Sequence, residues 1–324
     1  MADMNVLVVG TGALGSIYAW RLQEGGARVT CVCRSNFATV QQDGFQINSG
    51  TYGQHTYRPT RVVSSVADAV ADGTSFDYIL VCTKALPNLG DNSEVIGPAV
   101  GARTVIVLIQ NGIDIEEPFH ARYPDAPLVS AIAYIDVSQP RAGAIEHGGV
   151  AALIMGAFAN VDSDAAARVS QLSDAWAAQG VMSSVTDQVQ AFRWLKLVWN
   201  ASFNSVSVVS GGNNTKQMLG DKGCRGLIRN IMLEVYRIGE AATGGPLPVL
   251  MGKDSADAFI EDTDGRDAVE PSMLMDFRAR RPMEHDVILR RPLDVARRLG
   301  VSAPYMEAVY AMLVMVEKTY MARL

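Results

Sequence analysis

The sequence lacks several features that would place it in common functional classes. Its 324 residues include four cysteines and four histidines, and none of them has the paired spacing of a zinc site. No apolar run approaches the roughly 18 residues that cross a bilayer, and no basic segment precedes the first apolar run. The net charge of −6 argues against nucleic acid or an anionic membrane as the main partner. We therefore expect a reduced, cytoplasmic protein with no metal, nucleic-acid partner or membrane span.

In the first half of the chain, short apolar runs alternate with helical stretches. Near-continuous Val, Ile and Leu, typical of strands buried on both faces of a parallel sheet, occur at residues 5–9, 28–33, 77–82, 104–109 and 128–134. Helical spacing over residues 14–22 separates the first two strands. The alternation predicts an α/β domain over residues 1–185 with a Rossmann-type, doubly wound parallel sheet. We interpret residues 144–155 as strand and turn, with an edge hairpin as one form of that arrangement, and expect a helix over 164–178.

The second half has long helical patterns instead. They cover residues 188–209, 224–242, 272–280, 285–299 and 304–322. A chain of this length suits two domains, so the pattern predicts a mostly helical domain over residues 186–324.

A glycine motif follows the first predicted strand. Gly10, Gly12 and Gly15 form G-x-G-x-x-G, with Thr11, Ala13 and Leu14 between them, at the start of a predicted helix. The first glycine permits the tight turn, the second admits the pyrophosphate, and the third lets helix and strand pack closely. Free N–H groups at the helix terminus would then bind the phosphates. The motif predicts a dinucleotide site.

The tip of the second strand indicates which dinucleotide binds. NAD sites usually carry an acid there for the ribose 2′-OH, whereas this chain has Arg34 and Ser35. A guanidinium pairs well with a 2′-phosphate, which favours NADP(H) over NAD. A solvated arginine at the end of a strand is the alternative.

Two further strand ends carry polar residues. Lys84 follows the strand at 77–82, and Asn111 follows the strand at 104–109. Ligands bind at the carboxyl edge of open α/β sheets, so Lys84 is a candidate for the cofactor and Asn111 for the nicotinamide or the substrate. An asparagine before a glycine is also common in plain turns, and that interpretation stays open.

The first predicted helix of the second domain holds the strongest catalytic candidate. Lys196, Asn200 and Asn204 recur every fourth residue, so they line one face of an otherwise apolar helix. Such groups are costly to bury unless they face a polar cavity. Desolvation disfavours the charged lysine, which makes it a plausible proton donor. A surface stripe on an amphipathic helix is the alternative.

Together these motifs resemble those of the ketopantoate reductase family. The matching runs are "GTGALG", "CTKA", "QNG", "WLKLVWNASFN" and "SMLMDFRARRPMEHD", in the family's order and across essentially the whole chain. The resemblance implies NADPH-dependent reduction of a 2-oxo acid to a 2-hydroxy acid, with 2-dehydropantoate to D-pantoate as the leading assignment. The substrate would lie between the two domains.

The resemblance also implies roles for individual residues. Lys196 would be the general acid, and Glu284 would contact the substrate and the lysine. The substrate would be held by Asn200, Asn204, Ser272 and Asn111, and NADPH by Arg34, Lys84, Asn111 and the glycine turn.

The sequence also fits other functions. A D-2-hydroxyacid dehydrogenase of the mandelate type, or a ketoreductase of a secondary pathway, would use the same scaffold. A non-catalytic NADPH-binding regulator would have no need of Lys196, Asn200 and Glu284. The arginine-rich segment 278–298 is interpreted as a solvated face, and a homodimer and a monomer both stay open.

Overall fold

The computed structural model describes residues 4–321, which form two compact units. The first unit contains the chain up to residue 84 together with residues 91–110 and 115–189. The second unit contains residues from 190 onward and takes in two short segments, residues 85–90 and 111–114. These segments come from the loops that follow two successive strands.

The first unit is built on a ten-stranded mixed sheet. Its strands are β1 (Asn5–Val9), β2 (Arg28–Val32), β3 (Phe45–Ser49), β4 (Gly53–Tyr57), β5 (Arg61–Val63), β6 (Tyr78–Val81), β7 (Val105–Ile109), β8 (Leu128–Arg141), β9 (Ala144–Ala159) and β10 (Met182–Val185). The helices of this unit are α1 (Ala13–Glu24), α2 (Phe37–Asp43), α3 (Val66–Val70), α4 (Asn92–Val95), α5 (Glu117–Arg122) and α6 (Ser163–Ala177), and α7 (Val189–Trp199) begins at its last residue.

Six parallel strands confirm the predicted Rossmann-type sheet. They are hydrogen-bonded in the order β5-β2-β1-β6-β7-β8, which is the 3-2-1-4-5-6 order of a doubly wound fold. Every residue of β6 and β7 is buried, as their continuous apolar sequences indicate. The sheet therefore places the first βα turn at its centre.

Residues 144–155 are strand, as expected, but they do not form an edge hairpin. This segment lies in β9, which pairs with β8 on one side and with β3 and β10 on the other. The glycines at 148 and 149 sit at a register shift between β8 and β9 and do not form a turn. A Cβ at Gly148 would lie 2.8 Å from the Asp136 carboxylate, so the glycine permits close backbone approach within a strand.

Four strands, β3, β4, β5 and β10, were not predicted from the sequence. These strands are three to five residues long, and β4 is exposed along most of its length. They therefore lack the buried apolar runs that identified the central strands.

The second unit is helical, as expected. Its helices are the remainder of α7, then α8 (Ser205–Val209), α9 (Thr215–Gly220), α10 (Lys222–Thr243), α11 (Ala256–Asp264), α12 (Ser272–Arg278), α13 (Arg291–Leu299) and α14 (Pro304–Met321). Two π-helical turns interrupt the pattern, at Asn200–Asn204 between α7 and α8 and at Asp286–Arg290 before α13. The helices predicted at 188–209 and 285–299 each contain one of these wider turns.

The arginine-rich segment forms ion pairs within the second unit. Arg281 pairs with Asp276 at 3.1 Å, and Arg290 pairs with Asp294 at 2.8 Å and also with Asp286. Within residues 4–321 we find no group of three or more His, Cys, Asp or Glu residues arranged to hold a metal ion. No helix in the same range is long and apolar enough to cross a membrane.

Candidate active site

The glycine turn between β1 and α1 is closely packed at two of its three glycines. Gly10 has a φ of +94°, and a Cβ there would lie 2.5 Å from the Thr83 backbone nitrogen. A Cβ at Gly15 would lie 2.4 Å from the Gly10 carbonyl oxygen, so helix and strand could not pack as closely. A Cβ at Gly12 would meet nothing within 4 Å, which leaves open space beside the backbone. The turn is therefore tight at Gly10 and Gly15 and open at Gly12.

The N-terminus of α1 suits an anion. Gly12 is the N-cap and supplies no side-chain acceptor, and no acid lies in the first turn, where Ala13 and Leu14 stand. The first N–H groups of a helix have no intrahelical acceptor and lie at the positive end of its dipole. A pyrophosphate fits this position, since it would accept from N–H groups that no side chain caps.

Thr11 and Asn36 attach the glycine turn to the end of β2. The Thr11 hydroxyl donates to the Val32 carbonyl at 2.8 Å, and the Asn36 amide donates to the Thr11 carbonyl at 2.9 Å. Both side chains are buried. Sequence reasoning did not identify Asn36; its only signal was a small polar residue just after a predicted strand.

The two predicted cofactor cations are exposed. Arg34 and Ser35 are both solvent-exposed just beyond β2, and Arg34 has no acidic neighbour in the chain there. Lys84 is exposed beyond β6, and its carbonyl accepts from the Asn92 amide at 2.8 Å. Exposed cations at strand ends are accessible to a ligand's phosphates.

In the second unit, three of the predicted residues form one hydrogen-bonded chain. Lys196 Nζ donates to Asn111 Oδ1 at 2.8 Å, and Asn111 Nδ2 donates to Glu284 Oε2 at 3.3 Å. The other carboxylate oxygen of Glu284 accepts from the Ala85 N–H at 3.0 Å. The Asn111 amide therefore joins the lysine to the glutamate, with each end used according to its chemistry.

Burial lowers the pKa of Lys196. The pKa of the ammonium is lowered from 10.5 to about 7, mainly by desolvation and also by the nearby Arg193, while the charge of Glu284 opposes the shift. The amine is therefore balanced between its charged and neutral forms near neutral pH. A pKa close to the working pH is what a general acid requires.

Asn204 and Ser272 form a second polar pair. Asn204 Oδ1 accepts from the Met273 N–H at 3.1 Å and from the Ser272 hydroxyl at 3.3 Å. The Asn204 oxygen thereby caps the start of α12, whose N-cap residue Pro271 has no side-chain acceptor. Asn200 is 8% exposed, and its side chain makes no hydrogen bond within residues 4–321.

Several groups that support this cluster escaped sequence reasoning. Arg193 Nη1 donates to the Gly112 carbonyl at 3.0 Å, and the Ile113 N–H donates to the Val287 carbonyl at 2.9 Å. A Cβ at Gly112 would lie 2.4 Å from Val287 Cβ, at a φ of +97°. The backbone that carries Asn111 is therefore held on both sides. The one sequence signal was the glycine that follows Asn111.

Comparison with known proteins gives concordant matches. The family model "Ketopantoate reductase PanE/ApbA" matches residues 6–160, and the model of its C-terminal part matches residues 188–317. The crystal structure of 2-dehydropantoate 2-reductase from Methylococcus capsulatus is 36% identical and covers 98% of both chains, with a TM-score of 0.85. A 2-dehydropantoate 2-reductase of Nostoc sp. is 27% identical over 96% of this chain and 94% of its own.

The fold and these matches define the protein as an oxidoreductase enzyme. More narrowly, the chain belongs to the ketopantoate reductase family. A ternary structure of D-mandelate dehydrogenase with NADH and anilino(oxo)acetate also has a TM-score of 0.85, at 18% identity, and shares the fold.

The packing of Gly112 leads to a stability prediction. Gly112→Ala adds a methyl group into Val287 at a positive φ, so it should lower the free energy of unfolding by about 3 kcal/mol. Gly244→Ala is the matched control, because its φ is +75° and a Cβ there meets nothing within 4 Å. That change should cost only about 1 kcal/mol. Urea unfolding measures both values, and equal losses would refute the steric role of Val287.

Proposed function

We propose that this enzyme reduces a 2-oxo acid to a 2-hydroxy acid with NADPH, and that 2-dehydropantoate is its substrate. The observation that carries the proposal is the chain Lys196–Asn111–Glu284, in which a desolvated amine is oriented by an amide that a buried carboxylate holds. Family membership supports the reaction class.

Lys196 is the proton donor in this proposal. Reduction of a ketone at C2 leaves negative charge on the carbonyl oxygen, which must receive a proton. Because burial lowers the pKa of Lys196 to about 7, the ammonium releases its proton more readily than an exposed lysine. The neutral amine that remains is the form favoured by a desolvated position, and it is reprotonated from solvent.

Asn111 and Glu284 hold Lys196 in its orientation. Asn111 Oδ1 accepts one of the three ammonium protons and thereby orients the amine. Glu284 accepts from Asn111 and prevents the amide from rotating its nitrogen toward the lysine. The negative charge of Glu284 also keeps a usable fraction of Lys196 protonated.

The substrate carboxylate and hydroxyl groups are assigned to Ser272 and Asn200. The Asn200 amide makes no hydrogen bond within residues 4–321 and so can donate to a ligand. Ser272 begins α12, where the helix dipole favours an anion beside the hydroxyl. Asn204 fixes the start of that helix through its amide oxygen, and its amide nitrogen is assigned to the substrate.

The residues of the first unit are assigned to NADPH. The pyrophosphate would accept from the N–H groups of the turn from Gly10 to Gly15, and Arg34 would pair with the 2′-phosphate. Lys84 supplies a second cation for the phosphates. When bound, NADPH supplies the hydride.

A panel of substrates tests the proposed function. NADPH oxidation is measured with 2-dehydropantoate, 2-oxoisovalerate, benzoylformate and pyruvate. We expect the highest kcat/KM for 2-dehydropantoate. Preference for benzoylformate with NADH would instead establish the mandelate-type alternative, and no oxidation with any oxo acid would refute the proposal.

The pH dependence of kcat/KM provides a second test of the proposed function. The value of kcat/KM should fall as pH rises through about 7, because the ammonium form of Lys196 is lost there.

Lys196→Ala should lower kcat by about 10²- to 10⁴-fold, the usual contribution of a positioned general acid. NADPH should still bind, because the glycine turn is unchanged. Lys216→Ala is the control, since Lys216 is a partly exposed lysine that pairs with Asp264 at 3.8 Å. Steady-state kinetics with a fluorescence titration of NADPH provide both readouts. A kcat above about a tenth of the wild-type value would rule out Lys196 as the acid.

Arg34→Ala tests cofactor selection. Loss of a charge-assisted phosphate contact should raise the KM for NADPH about 10- to 100-fold and leave the KM for NADH nearly unchanged. Arg103→Ala is the control, because Arg103 is an exposed arginine of the same unit that pairs with Asp164 at 3.3 Å. Equal changes in the two KM values would show that Arg34 does not recognise the 2′-phosphate.

A further inference from the structure

Glu317, on helix α14, binds the residues on both sides of Glu284. Its Oε1 atom accepts from the Met283 N–H at 2.7 Å, and its Oε2 atom lies 2.7 Å from His285 Nε2. The intervening residue is the glutamate of the Lys196 cluster. One carboxylate thus fixes both the backbone before Glu284 and the side chain after it.

We propose that Glu317 is a positioning residue for Glu284, and that through Glu284 it sets the orientation of Asn111 and the proton affinity of Lys196. The proposal rests on the function proposed above, in which Lys196 donates a proton. It assigns Glu317 no contact with substrate or cofactor.

The segment Met283–His285 is buried, and Glu317 is its polar contact on helix α14. Met283 is fully buried, and His285 and Glu284 are 5% and 7% exposed. His285 Nδ1 is buried and has no hydrogen-bond partner within residues 4–321, so the contact with Glu317 is the polar anchor of that ring. The Tyr310 ring packs beside the imidazole, with the centroids 5.8 Å apart. A carboxylate with both oxygens engaged holds the segment more tightly than apolar packing alone.

The consequence for Lys196 follows from the contacts of Glu284. Both carboxylate oxygens of Glu284 are used, one by the Ala85 N–H and one by Asn111. A displacement of Glu284 would therefore release Asn111 and move negative charge away from Lys196. The charges that act on Lys196 are Arg193, which lowers its pKa, and Glu284, which raises it. Glu317 itself faces His285, with Tyr320 nearby on the same helix, and is not among the charges that shift Lys196.

The test measures the pKa of Lys196 directly. The chain has six lysines, so ¹³C-lysine labelling gives a small set of NMR signals, and Lys196→Met identifies the relevant one. Glu317→Ala should lower the pKa of Lys196 by about one pH unit, as expected when an opposite charge moves away. Glu317→Asp should also lower it, because the shorter side chain keeps its charge but no longer reaches both donors. Glu307→Ala is the control, since Glu307 lies on the same helix, is exposed and pairs with Arg297.

A double-mutant cycle separates positioning from a general loss of structure. In a Glu284→Gln background, Glu317→Ala should leave the pKa of Lys196 unchanged, because the group through which Glu317 acts has lost its charge. Glu317→Gln should shift the pKa less than Glu317→Ala, since an amide can still accept from Met283. If the alanine variant does not fold, the aspartate variant decides the question.

An unchanged pKa of Lys196 in folded Glu317→Asp or Glu317→Ala would overturn the proposal, as would an equal shift in Glu307→Ala. The NMR measurement does not depend on the substrate. If none of the oxo acids is reduced, the proposed function is refuted, but the effect of Glu317 on the pKa of Lys196 can still be measured.

Discussion

The cost of burying the Lys196 amine governs the candidate site. An ammonium removed from water loses hydration that a low-dielectric interior does not replace, and its pKa falls accordingly. Asn111 and Glu284 limit that loss, one by a hydrogen bond and the other by its charge. If this compensation were complete, the lysine would hold its proton too tightly to donate it. If it were absent, the amine would be neutral at working pH.

Backbone elements that bring these groups together depart from regular helix. A π-helical turn at Asn200–Asn204 follows the lysine, and another at Asp286–Arg290 follows Glu284. Such turns appear frequently at functional sites. Val287, in the second turn, also packs on Gly112 and accepts from the Ile113 N–H. The π-helical turn that follows Glu284 therefore also supports the backbone of Asn111, the residue that Glu284 binds.

The central fold was predictable because its signals are local. Apolar runs identified five of the six parallel strands, all except β5, and a strand followed by G-x-G-x-x-G and a helical pattern identified the first βα turn. The strand β9 was misinterpreted because glycines at a register shift resemble turn glycines in the sequence. In the candidate site, Lys196 was identified from its apolar helix and Glu284 from the family pattern. Arg193, Ala85 and Glu317 were missed. A buried arginine, a backbone N–H and a glutamate on a helix acquire their roles only from partners that are distant in the sequence.

Asn200 and Asn204 have different hydrogen-bonding environments, which shows that residue type alone does not define a role. Asn204 and Asn200 stand four residues apart, yet the Asn204 oxygen caps α12 while the Asn200 side chain makes no hydrogen bond within residues 4–321. A cap fixes the helix start that carries Ser272, and an uncommitted amide next to it remains able to bind a ligand. The position of Ser272 thus depends on the hydrogen bonds that Asn204 Oδ1 accepts at the start of α12. Of the two asparagines, Asn200 retains more hydrogen-bonding capacity for a substrate.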